Sequence, residues 1–311
     1  MTASLTHRSQ PAQKRRLGAV SRQRWARFFM QAPSLIVLAL VLVFPLGYSL
    51  ALSFQSYSPV DPTANGQWIG LANYVRMLQD SQFGRAILVT IVYVVLAVGI
   101  ETILGTAVGV WLSRLMRTRR LVTSFLLLPM IATPLVVGLM FSFGLNPQFG
   151  YMTSALQSLG LVGEAGVLDS SAGAFTALIA LDVWEWTPFI ALMVLAGLSA
   201  APQAQIQAAE LDGCNTFQIY RHVMLPMIRP VIGVAILFRA TEAIRQFDQV
   251  YILTGGGPGA ATTVNDMFQY RVSFTAFDMS YGAALGIATF LVVTVLAWVL
   301  FRYLNRKGAD A

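Results

Sequence analysis

Several stretches of this chain are too apolar and too long for a soluble core. Residues 33–54 contain no charged side chain, and a helix needs about 20 mostly apolar residues to cross roughly 30 Å of hydrocarbon. No water is present there to satisfy backbone N–H and C=O groups, so such a segment must be helical. Comparable runs place spans at residues 33–54, 86–112, 121–144, 174–198, 230–252 and 280–302. A composition 56% hydrophobic and only 11% charged agrees with a membrane as the solvent. The expected fold is all-α, a polytopic membrane protein with six transmembrane helices. The first run is longer than a signal-peptide core of about 7 to 15 residues and is read as an uncleaved span.

The net charge of +7 does not indicate nucleic acid, because of where the charge lies. Seven Lys and Arg precede the first span, four lie at residues 114–120, two near the loop between spans four and five, and three in the tail. The opposite loops hold only Arg76, Arg85 and Arg271. Basic loops next to span ends resist translocation, so sixteen against three predicts both termini in the cytoplasm. The predicted domains are a basic arm at 1–30, a membrane domain at 31–305 and a tail at 306–311. Trp68, Tyr74 and Phe83 suit the headgroup region on the outer side.

Catalytic chemistry lacks its parts. A nucleotide-binding loop needs a lysine after glycine and before Ser or Thr, but Lys14 follows Gln13 and Lys307 follows Arg306. Gly255-Gly256-Gly257 follows an apolar span, with no strand-to-helix unit around it, and reads as a turn. His7, His222 and the single Cys214 supply neither a triad nor a metal set.

One inward loop stands out. Residues 203–226 are polar enough to leave the membrane yet helical in composition. Gln207-Ala208-Ala209-Glu210-Leu211-Asp212-Gly213 is followed, nine residues later, by Val223-Met224-Leu225-Pro226. The pattern predicts a short helix ended by glycine, then a second helix stopped by proline.

This loop resembles the coupling loop of bacterial ABC-importer permeases: Glu-Ala-Ala, three residues, Gly, nine residues, then Ile-x-Leu-Pro. Ala208, Ala209, Gly213, Leu225 and Pro226 match, Asp212 lies between, Val223 replaces isoleucine, and Gln207 replaces the usual glutamate. Phe44-Pro45-Leu46-Gly47-Tyr48-Ser49, Asp182-Val183-Trp184-Glu185-Trp186-Thr187-Pro188-Phe189 and Phe247-Asp248-Gln249-Val250-Tyr251-Ile252-Leu253-Thr254-Gly255-Gly256-Gly257-Pro258 are similar to the carbohydrate branch, which includes maltose and glycerol-phosphate importers. The resemblance implies a non-catalytic permease of a bacterial inner membrane with a cytoplasmic coupling helix, importing a sugar or polyol. It also implies a second permease, an extracytoplasmic binding protein and two ATPase subunits, which carry the ATP and magnesium. No cofactor is expected on this chain.

Ionisable residues at bilayer depth cost about 2.5 to 3.5 kcal/mol on insertion scales and usually face protein or water. The fourth span offers Asp182, Trp184, Glu185 and Trp186. The fifth offers Arg239, Glu242, Arg245, Asp248 and Tyr251. In one reading these bind solute hydroxyls while an aromatic face supports a sugar ring. In the other, the alternating signs form ion pairs within and between helices. Glu101, alone in the second span, is read as paired with a neighbouring helix. A different function, a self-sufficient secondary transporter with an ion relay, leaves the 203–226 loop unexplained.

Overall fold

The computed structural model describes residues 30–61, 63, 66–115 and 118–308. The basic arm up to residue 29 and the last three residues lie outside the described residues. Helix α1 is Met30–Ser53. After a two-stranded pairing of Gln55–Ser56 with Gln67–Trp68 come α2 (Ala72–Gln79) and α3 (Ser81–Arg114). Then follow α4 (Arg119–Ile131), α5 (Pro134–Gly144), α6 (Tyr151–Ser158) and α7 (Ser171–Ser199). The chain continues through α8 (Gln203–Leu211), α9 (Thr216–Met227), α10 (Arg229–Ile244) and α11 (Asp248–Leu253). It ends with α12 (Asn265–Tyr270) and α13 (Met279–Gly308).

Among the described residues, α1, α3, α7 and α13 are each long and apolar enough to cross a membrane, and two bent pairs raise the number to six. The bends correct the expected continuous spans. α4 and α5 meet at 90° around Ala132 and Thr133, where Pro134 starts the second helix and cannot donate back across the break. The fifth span unwinds at Arg245, Gln246 and Phe247 before α11 begins. Apolar composition continues across the first break, and the polar Arg245 and Gln246 of the second lie within a stretch long enough to span, so span length alone conceals both.

Proline has a subtler effect in two other helices. Wide π turns at Ala39–Val43 and Tyr220–Met224 each end two residues before a proline, Pro45 and Pro226. A proline ring collides with the carbonyl four residues earlier, and widening the turn moves that carbonyl aside. Pro226 therefore does not stop the second helix as expected. α9 runs on to Met227 and then bends by 63° into α10.

The core is built on close approach of α3 and α7. A side chain at Gly105 would lie 2.7 Å from Ile190 Cβ, and one at Gly109 would lie 2.7 Å from the Ala191 carbonyl oxygen. This small-xxx-small spacing lets two helices pack by dispersion where lipid offers no hydrophobic drive. Tyr93, Ala97, Leu178 and Leu181 fill the seam, with Val137 of α5 and Val250 of α11 against it. Helix α13 is held similarly, with Gly282 and Gly286 facing Ser273 and Gln269.

Candidate functional site

Three core helices bring their charges together. Arg239 of α10 donates two hydrogen bonds to Glu101 of α3, at 2.7 and 2.9 Å, and one to Asp182 of α7 at 2.9 Å. Its guanidinium also lies over the Trp186 ring at 4.5 Å. All three ionic groups are buried. Glu185, equally buried, accepts from the Gln249 side chain, which itself accepts from Gln246. Asp182 and Glu185 thus join helices, as does Glu101. The ion pairs within the fifth span do not form: Glu242, Arg245 and Asp248 make none with one another among the described residues. Arg239 is turned towards α3 and α7, and the helix ends at Arg245, so the i, i+3 stacking on which such pairs depend is lost.

The remaining members of the predicted set are exposed or half-buried. Trp184 is 42% and Tyr251 44% exposed. Arg245 and Asp248 are also exposed, and Glu242 is half-buried. Trp184 packs on Phe141 of α5, and Tyr251 sits in a ladder with Phe247, Tyr270 and Phe274. Gly138 of α5 approaches Ile252 of α11, so the two broken spans meet here. Unwound backbone at such breaks frees polar groups to line a cavity.

The 203–226 loop is assembled from two end-to-end caps. Gly213 has φ 79°; its N–H bonds to the Glu210 carbonyl, and the next N–H, of Cys214, reaches Ala209. This is a Schellman ending, which favours glycine at the left-handed position. Asn215 then opens α9 with a reciprocal capping box to Gln218. Ala209, Ile219 and Met224 pack against Ile190, Val194 and Leu198 of α7, with Leu225 beside them and Pro226 half-buried. Tyr220 meets Ser113 of α3 at 2.9 Å and lies beneath Arg114 at 4.7 Å. The opposite surface is bare: Gln207, Ala208, Asp212 and Gly213 are exposed, with Leu211 at 89% and Phe217 at 65%.

Residues 101–308 match the family model described as the binding-protein-dependent transport system inner membrane component. The chain belongs to that family. It is 36% identical over 294 residues to a probable ABC transporter permease protein, y4oQ, of Sinorhizobium fredii, covering 91% of this chain and 94% of the relative. It is 32% identical over 269 residues to the trehalose/maltose transport system permease protein MalF of Thermococcus litoralis, covering 86% and 89%. A bacterial ABC transporter involved in import of the acidic polysaccharide alginate shares the fold: TM-score 0.81, 22% identity, 94% of this chain and 99% of that one.

In this inner membrane component, the polar residues singled out in the sequence therefore divide into a buried lock and an open face. Two features escaped sequence reading. Leu211 and Phe217 look like ordinary helix-packing residues until the caps turn them outwards. The partnership of Arg239 with Glu101 spans 138 positions, and its only signal was the cost of leaving either charge alone in a span.

Proposed function

We propose that this permease forms half of the membrane channel of an ATP-driven importer for a sugar or related polyol. Its partners in this reading are a second homologous permease, an extracytoplasmic binding protein and two ATPase subunits that hold ATP and magnesium. Both termini face the cytoplasm, consistent with sixteen basic residues against three. A sugar as solute is supported by relatives named for trehalose and maltose.

The observation that carries the reading is the two-sided 203–226 loop. One side is fused to α3 and α7, and the other presents Leu211 and Phe217 around Gly213. A cleft on an ATPase that closes on these residues would move the loop and the core helices together, switching the open face between sides. Gln207 offers that ATPase a hydrogen bond in place of the usual carboxylate. The test is uptake by vesicles containing the co-purified complex. Uptake should require ATP and the ATPase, and Leu211→Ser with Phe217→Ser should abolish it while the permease stays inserted. Uptake by this chain alone, driven by a proton gradient, would overturn the proposal.

A further inference from the structure

A cleft of about 990 Å³ lies between the first turns of α3 and the segment from α11 to the π turn Arg271–Thr275 that follows α12. Ser81, Gln82 and Arg85 line one wall, and Tyr251, Tyr270 and Arg271 another; among the described residues no acidic side chain lines it. Its volume is at the upper end of small-molecule sites, about 300 to 1,000 Å³.

Its two cations differ in how they are held, but neither is neutralised. Arg271 donates to the Gly255 carbonyl at 2.5 Å and to the Thr263 hydroxyl at 3.4 Å, so its guanidinium is fixed by neutral acceptors. Gly256 permits this, because a Cβ there would sit 2.7 Å from Thr263 Oγ1 and 3.0 Å from Arg271 Nη2. Arg85 is exposed and has no carboxylate partner among the described residues. The nearest acid in sequence, Asp80, is already engaged. It accepts the backbone N–H groups of Gln82 and Phe83 as the α3 cap, and the Tyr281 hydroxyl at 2.9 Å. By contrast, Arg76, the third arginine of the same outer loops, pairs with Asp278 at 2.6 Å.

A cation in the opening turns of a helix opposes the helix dipole, and two uncompensated guanidinium groups in one concave site favour an anion. Beside them, Tyr251 and Tyr270 stand edge to face, with centroids 5.4 Å apart, and offer flat apolar surface. We propose that this cleft is an entry site for an anionic sugar. Arg85 and Arg271 would hold its carboxylate, sulfonate or phosphate, and the tyrosines its ring. The proposal rests on the importer reading and on the orientation that places the cleft outside.

The test uses the assembled importer in nanodiscs of zwitterionic lipid, without binding protein. Trigalacturonate, glycerol 3-phosphate and neutral maltotriose are titrated calorimetrically. An anionic probe should bind roughly tenfold more tightly than maltotriose. Arg85→Gln should remove that preference, Arg85→Lys should retain most of it, and added salt should weaken it. Equal binding of charged and neutral probes, no binding of either anion, or an unaltered preference in Arg85→Gln would overturn the proposal. So would loss of probe binding on adding anionic lipid or, in a parallel titration with the binding protein, an Arg85→Gln defect confined to its affinity, since a headgroup or an acidic protein side chain would then be the occupant. Orientation is checked separately by labelling intact cells with an impermeant maleimide. Thr275→Cys on the cleft wall should react and the native Cys214 should not. If Thr275→Cys stays unlabelled, the orientation itself fails. If it is labelled but no charge preference is found, only the entry site fails.

Discussion

At the residue scale, Arg239 is the charge whose removal does most harm. It neutralises two buried carboxylates at once, and breaking such a buried pair leaves an uncompensated charge that costs about 3 to 5 kcal/mol. Arg239→Gln should therefore lower the thermal unfolding temperature of the detergent-solubilised complex far more than Glu101→Gln, which leaves Arg239 its bond to Asp182. Glycine gives a cleaner contrast. Gly109→Leu drives a side chain into Val194 and the Ala191 carbonyl, whereas Gly99→Leu on the same helix meets open space. Overpacking of this kind costs about 1 to 3 kcal/mol, so only the Gly109 variant should lose yield and stability in a melting assay. The sequence showed that Glu101 and Arg239 each needed a partner. It could not show that they chose each other, because helix packing decides which faces meet.

At the element scale, the caps of the 203–226 loop fix where its tip points. Placing a β-branched residue at the left-handed Gly213 costs about 1 to 2 kcal/mol. Because nothing lies within 4 Å of that position, the cost is conformational and not steric crowding. Gly213→Asn, which tolerates the left-handed region, should therefore keep most of the transport-coupled ATPase activity of the complex, while Gly213→Val loses it. Equal loss in both would mean that the partner, not the backbone, demands glycine. The spans were legible because apolar length is a strong signal, whereas the short helices α2, α6 and α12 between them carry no such length and were not. Nor were the interruptions: Ala132 and Thr133 differ little in hydropathy from their neighbours, and the polar Arg245-Gln246 pair reads as groups turned inward from a continuous helix. Pro226 was visible but misleading, because a proline can be absorbed by a widened turn as readily as it can end a helix.

At the scale of the whole molecule, the question is whether the loop slides on the membrane core or moves with it. Three contacts favour a single body: the apolar packing of Ala209, Ile219 and Met224 on α7, the Tyr220–Ser113 bond to α3, and Arg119 donating to Ser199 at 3.0 Å. The first two tie the adjacent ends of α3 and α7 to α8 and α9, and the third adds the start of α4 to the same body. By contrast, the 63° bend into α10 and the unwound turn at 245–247 supply joints at the two ends of α10, on either side of the buried Arg239 lock. Packed interiors switch between discrete arrangements and do not deform smoothly, so motion concentrates at such joints. Bridging Ser113→Cys to Tyr220→Cys with a short bismaleimide, in a background with Cys214→Ser, should leave ATP-driven uptake by vesicles nearly unchanged. Bridging across the 63° bend, from Met224→Cys to Ile232→Cys, should arrest it. The reverse pattern would place the hinge between loop and core and make the bend a fixed feature of the fold.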